Sequence, residues 1–211
     1  NLGVMYSNGE GTPKNIQKSF EWYKKAAEQG IAYAQYNLGL MYSNGEGAPK
    51  NIKKSFKWYK KAAEQGIADA QYNLGLMYYH GEGTFKNYKK AFEWFKKAAE
   101  QELAYAQHDL GAIYYKGEGT FKNYKKAFEW FKKATEQDYA PAQFNLGLMY
   151  YHGEGTTQNY QKAYTHFLIC DYLGYNQDIV KEAINIFEQK FSTQKIKNAQ
   201  NEAKKIIQGF K

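Results

Sequence analysis

Two kinds of apolar spacing alternate along this chain. In 31–66, Ala34, Leu38, Met41 and Tyr42 fall on one arc of helical period. After a glycine-containing break, Ser55, Phe56, Trp58, Tyr59, Ala62 and Ala63 cover a second arc, about 160° wide at 100° per residue. That breadth exceeds what one packing partner needs, so the second helix is expected to lie between its own partner and the next pair. The whole pattern returns every 36 residues, in the pairs Leu2-Gly3, Leu38-Gly39, Leu74-Gly75, Leu110-Gly111 and Leu146-Gly147. Self-similarity at such a period means a stacked array in which each unit buries its face against its neighbours.

The breaks are chemically explicit. Gly45 sits where a helix needs a left-handed residue to stop, and Gly47 keeps the turn permissive. Asn51 precedes the second helix as an N-cap, a placement repeated by Asn15, Asn87, Asn123 and Asn159. Gly30 and Gly66 supply the second stop, whereas Glu102 and Asp138 replace glycine in later copies, which predicts less regular turns there. Gly39 and its equivalents lack a side chain and are expected to admit another backbone closely.

These residues resemble the Sel1-like repeat, a relative of the tetratricopeptide repeat. The resemblance is carried by Ala68, Ala70, Gln71, Leu74, Gly75, Tyr78, Gly81 and Gly83 in a first helix and turn. Lys90, Ala91, Trp94, Phe95, Lys97, Ala98, Ala99 and Glu100 carry it in a second helix. It covers residues 1 to about 170 and implies an all-α fold, a right-handed α/α solenoid superhelix of helix-turn-helix repeats. The expected division is 1–174 for the repeats (partial 1–30, then 31–66, 67–102, 103–138 and 139–174) and 175–211 for a C-terminal capping helix pair. In the tail, Ile179, Ala183, Ile186 and Phe187 form one stripe, and Ile196, Ala199, Ala203, Ile206 and Ile207 another. Since Asn1 aligns with Asn37, the natural protein is expected to extend further N-terminally, and any signal peptide would lie there.

Charge narrows the partners. All 29 basic residues are lysine and the net charge is +8. Bidentate grip on phosphate favours arginine, so specific nucleic-acid reading is disfavoured, while salt-sensitive attraction to acidic surfaces remains open. Lys53, Lys57, Lys60 and Lys61 lie opposite the apolar face of their helix and read as its solvated side. Glu21–Lys25, Glu93–Lys97 and Glu129–Lys133 are spaced for ion pairs along a helix. No apolar run approaches the ~18 residues of a membrane span. No catalytic group, cofactor or metal site is expected. His80-Gly81-Glu82 and His152-Gly153-Glu154 straddle a helix end, and Asn8, Asn44 and Lys116 hold the position elsewhere. The GEG turns lack the Gly-Lys-Ser/Thr ending of a phosphate loop. Cys170, with His166 one turn earlier, could form a nucleophile and base, but reads better as a small buried hydrophobe. Relatives in the repeat class that carry paired cysteines are linked to β-lactam binding; a lone cysteine does not match that pattern.

The informative positions are those where the copies differ. On the first helix, away from the leucine stripe, the columns read Asp69 against Tyr33, Tyr105 and Pro141; Tyr72, His108 and Phe144; Ala112 against Leu40, Leu76 and Leu148. They continue with Tyr79, Tyr115 and Tyr151, then His80, Lys116 and His152. This aromatic-rich line is expected to form a concave protein-binding stripe. Family resemblance implies a non-enzymatic scaffold or adaptor binding another protein, an acidic one among the candidates, and acting as a monomer. A host-interaction factor and an immunity partner of a secreted toxin are the finer possibilities, with a periplasmic or secreted setting favoured over a cytoplasmic one. The alternatives are a cell-wall or β-lactam hydrolase on the same repeats, and a basic surface for acidic polymers.

Overall fold

The computed structural model describes residues 2–209, which form twelve α-helices and no strands. They run as α1 (Leu2–Asn8), α2 (Ile16–Glu28), α3 (Ala32–Asn44), α4 (Ile52–Glu64), α5 (Ala68–His80) and α6 (Tyr88–Glu100). Then come α7 (Ala104–Lys116), α8 (Tyr124–Thr135), α9 (Ala140–His152), α10 (Tyr160–Tyr172), α11 (Gln177–Lys190) and α12 (Thr193–Ile207). The chain divides into two compact units, Asn1–Gln101 and Glu102–Lys211.

Local chemistry sets the helix ends. The side chains of Asn15, Asn51, Asn87, Asn123 and Asn159 accept the amides of Lys18, Lys54, Lys90, Lys126 and Lys162, each at 2.9 Å. Each satisfies an otherwise orphaned donor at the start of a second helix. The first helices α3, α5, α7 and α9 stop at Gly45, Gly81, Gly117 and Gly153, all left-handed. At the second stop, Glu102 and Asp138 adopt positive φ (63° and 56°) where Gly30 and Gly66 stand at 90° and 91°. The first replacement leaves α6 as long as α4, and the second accompanies an α8 one residue shorter.

In the first unit the core runs through Phe20, Tyr23, Leu38, Met41 and Tyr42. Leu38, Leu74 and Ser55 are fully buried. The Leu-Gly glycines admit an aromatic ring from the second helix and not, as expected, a backbone. A Cβ at Gly39 would lie 2.7 Å from the Tyr59 ring, and one at Gly111 would lie 2.8 Å from Phe131. The second glycine of the turn has a reason beyond permissiveness, since a Cβ at Gly83 would sit 2.7 Å from the carbonyl oxygen of Ile52. Glutamines tie adjacent copies, an exposed one reaching a buried one. Gln65 Nε2 donates to Gln35 Oε1 (2.7 Å) and to Gly30 O (3.0 Å), and Gln101 repeats this on Gln71 and Gly66.

The second unit carries the same scaffold with a modified end. Gln137 donates to Gln107 (2.9 Å), but Leu173 occupies the next position of that column, and Gln143 is met instead by His166 Nδ1 at 2.7 Å. Both α11 and α12 pack on α10. Their inward face is Val180, Ala183, Ile184 and Phe187 on α11, with Ile196 and Ala199 on α12. This corrects the expected stripe: Ile179 and Ile186 point outward, 49% and 40% exposed. The Phe187 ring decides the register, because it lies 5.5 Å from Tyr164, 5.8 Å from Phe167 and 5.1 Å from Phe191.

The lysines are less idle than a solvated face requires. Lys25, Lys61, Lys97 and Lys133 sit 4.3–4.9 Å over the rings of Trp22, Trp58, Trp94 and Trp130. Among the described residues the lysine–glutamate pairs along the helices are Lys60–Glu64 and Lys96–Glu100, both 3.7 Å, rather than the three anticipated from spacing.

Candidate protein-binding face

The stripe residues divide into an aromatic layer and a polar fringe. In the first unit, the Tyr72 ring packs 5.5 Å from Phe95, and Tyr79 lies 5.1 Å from Tyr88 and 5.0 Å from His80. Asp69, Tyr72 and Tyr79 are half-buried, whereas His80 is exposed. In the second unit, Tyr151 repeats the contact with Tyr160 at 5.3 Å and His152 is exposed. Phe144 lies deeper in function than its position on the wheel suggests. Its ring is 5.6 Å from Phe167 and 6.1 Å from Tyr175, inside the cluster that joins α9 to α10.

A polar bridge links α7 to α9. Elsewhere in its column, asparagine turns back on its own helix: Asn37 Nδ2 donates to Tyr33 O (2.8 Å) and Asn73 Nδ2 to Asp69 O (2.9 Å). Asp109 holds no such donor, and its Oδ1 instead lies 2.9 Å from His108 Nδ1. The other ring nitrogen, Nε2, is 2.8 Å from Asn145 Nδ2. One neutral tautomer satisfies both, with Nδ1–H donating to Asp109 and Nε2 accepting from Asn145. A second link is the Tyr115 hydroxyl, which donates to Glu154 Oε2 at 2.7 Å. That bond, then burial, pushes the Tyr115 phenol up to about 12.

Beside these links lies a hollow of about 200 Å3, lined by Ala112, Tyr115 and Lys116 of α7, Phe131 of α8, and Asn145, Leu148 and Met149 of α9. The structure therefore brings together His108, Ala112, Tyr115 and Lys116. Asn145, Leu148 and Glu154 join them, three residues that the column comparison missed because they match their counterparts. The signal for Asn145 lies in its own column, where Asp109 is the single aspartate among Asn37, Asn73 and Asn145.

Cys170 is buried and donates to Ala140 O at 3.5 Å, and burial, with Asp171 beside it, pushes its thiol up to about 12. His166 is pulled down to about 4 by burial and by Lys162, and stacks on Tyr150. A neutral imidazole bonded to Gln143 and a protonated thiol make no nucleophile. Among the described residues no three His, Cys, Asp or Glu side chains are grouped to hold a metal. None of the described helices is long and apolar enough to cross a membrane.

Paired helices repeated in tandem, tied by glutamines and capped by asparagines, define a helical-repeat protein of the α/α solenoid class. The chain belongs to the Sel1 repeat family, whose repeat matches residues 1–31, 32–67, 68–103, 104–139 and 140–169. The protective antigen c5321 of uropathogenic Escherichia coli, which displays the same repeat fold, is 33% identical with a TM-score of 0.85. The match covers 97% of this chain and 44% of that one. A Sel1 repeat protein from Oxalobacter formigenes is 34% identical with a TM-score of 0.79, over 88% of this chain and 73% of that one. A sel1-like repeat-containing protein, L21, of Acanthamoeba polyphaga mimivirus is 51% identical over 37 residues, 18% of this chain and 7% of that protein. The chain thus spans less than half the length of c5321 and a small fraction of L21.

Proposed function

We propose that this protein is a non-enzymatic interaction scaffold that binds another protein through the concave face formed by its first helices, at Asp69, Tyr72, Tyr79 and His80 in one unit and His108, Ala112, Tyr115, Lys116, Phe144, Tyr151 and His152 in the other. The observation that carries the reading is the division of labour within each copy. Leucine, glycine, glutamine and asparagine scaffold positions repeat, while an exposed fringe over the aromatic layer changes from copy to copy, as Asn44, His80, Lys116 and His152, and in the half-buried layer beneath it Tyr72 gives way to His108. Varied polar groups above fixed rings suit recognition of a specific surface. Phe144 serves this face as support from beneath, holding α9 against α10.

The test uses sister-copy residues so that the fold is preserved. Wild-type chain, the His108→Tyr/Lys116→Asn double variant and the Lys60→Gln/Lys96→Gln double variant are immobilised and crosslinked to partners from the source cell. The first pair should lose the specific partner and the second retain it, with all three equally helical by circular dichroism. Loss confined to the Lys60/Lys96 variant would move the site to the second helices and overturn the assignment.

A further inference from the structure

Ala112 stands where Leu40, Leu76 and Leu148 stand in the other copies, and it lines the hollow between α7, α8 and α9. The space, about 200 Å3, falls below the ~300–1,000 Å3 typical of small-molecule pockets, so it suits a single apolar side chain. Phe131 and Leu148 give it apolar walls. Two of its polar neighbours are already committed, Tyr115 to Glu154 and Asn145 to His108. Lys116 is not: it ends α7, is exposed and forms no ion pair among the described residues. The unmatched group beside the hollow is therefore a cation, on a chain of net charge +8.

We propose that this hollow is an anchor site for one leucine- or phenylalanine-sized side chain of an acidic peptide segment, with a neighbouring carboxylate of that segment paired to Lys116. The proposal rests on the protein-binding reading above and names the partner chemistry of the same face. An apolar anchor seated in a pocket with a charge at the rim is how a few residues come to dominate an interface. The rigid links on either side, Tyr115–Glu154 and His108–Asn145, keep the hollow open without a partner, which limits the ordering cost of binding.

The probes are synthetic heptapeptides with a central leucine, phenylalanine or alanine between three glutamates on either side, and a leucine peptide with lysines in place of the glutamates. Amide chemical shifts of the full chain are followed on titration. The acidic leucine or phenylalanine peptide should perturb Ala112, Tyr115, Lys116 and Asn145, and the alanine and lysine peptides should bind at least roughly tenfold more weakly. Ala112→Leu, which restores the residue of the sister copies, should weaken binding at least ~10-fold with no loss of thermal stability, and Lys116→Asn should weaken it roughly threefold. Binding that maps to the first helices but ignores Ala112→Leu overturns the anchor site and leaves the face standing. Binding that maps to the second-helix lysines overturns both. Failure of every acidic peptide to perturb these amides overturns the anchor site.

Discussion

At the scale of single residues, the copies act as controls for one another, and each departure has a local consequence. His166 takes the position of Trp58, Trp94 and Trp130, loses the lysine that lies over those rings, and gains Gln143 in exchange. Burial holds its imidazole neutral, with its pKa lowered to about 4. The unfolded chain takes up this proton near the ordinary value of about 6.5, while the folded chain resists until about 4. Its contribution is therefore complete above about 6.5 and is lost as pH falls towards 4, by at most roughly 3 kcal/mol. Urea unfolding at pH 7 and pH 4.5 should show a larger loss for wild type than for His166→Trp. Equal losses would mean that His166 is protonated in the folded protein.

At the scale of helices, sequence legibility follows how local the determinant is. The asparagine caps and left-handed glycines could be placed from sequence because each acts within one turn of chain. The Leu-Gly glycine was legible as a close approach, but the approaching group was not, since a ring from the second helix reaches it only after the pair has folded. The His108–Asn145 bridge needs the spacing of two helices, and no single-helix wheel contains that distance. The same limit hid the role of Phe144, because a wheel angle is silent on the rings of Phe167 and Tyr175 behind it. On α11 the wheel picked the stripe of Ile179, Ala183, Ile186 and Phe187, and the aromatic cluster turned the helix to the neighbouring face carrying Val180 and Phe187. We propose that α11 and α12 cap the repeats by covering the apolar side of α10. Phe187→Ala should then cost about 3–5 kcal/mol, whereas Ile186→Ala, its chain neighbour, should stay within about 0.5 kcal/mol. Truncation after Gly174 should uncover Tyr164 and Phe167 and lead to aggregation. Unchanged unfolding of Phe187→Ala and a soluble truncation would remove the capping role.

At the scale of the whole molecule, the question is whether a net charge of +8 is itself a binding device. Lysine placement argues against it. Four lysines lie over tryptophan rings and two pair with glutamates, so their ammonium groups serve the scaffold before any ligand arrives. Without arginine, the chain also lacks the planar fork that grips phosphate in two bonds. Salt separates the two possibilities. A lysine face neutralising ~5 phosphates of a DNA duplex would lose roughly 500-fold in affinity between 50 and 200 mM salt, because the counterions it displaces must be gathered again. A protein held by an apolar anchor and one lysine should lose well under tenfold over that range, since only exposed charge is screened. Fluorescence anisotropy with a labelled duplex and with the captured partner, each at both salts, reads the difference directly. Weak duplex binding that vanishes by 200 mM, beside partner binding that persists, places the specific contacts on the first helices. Partner affinity that collapses in step with the duplex would assign recognition to the lysine surface, and with it the acidic-polymer reading of this chain.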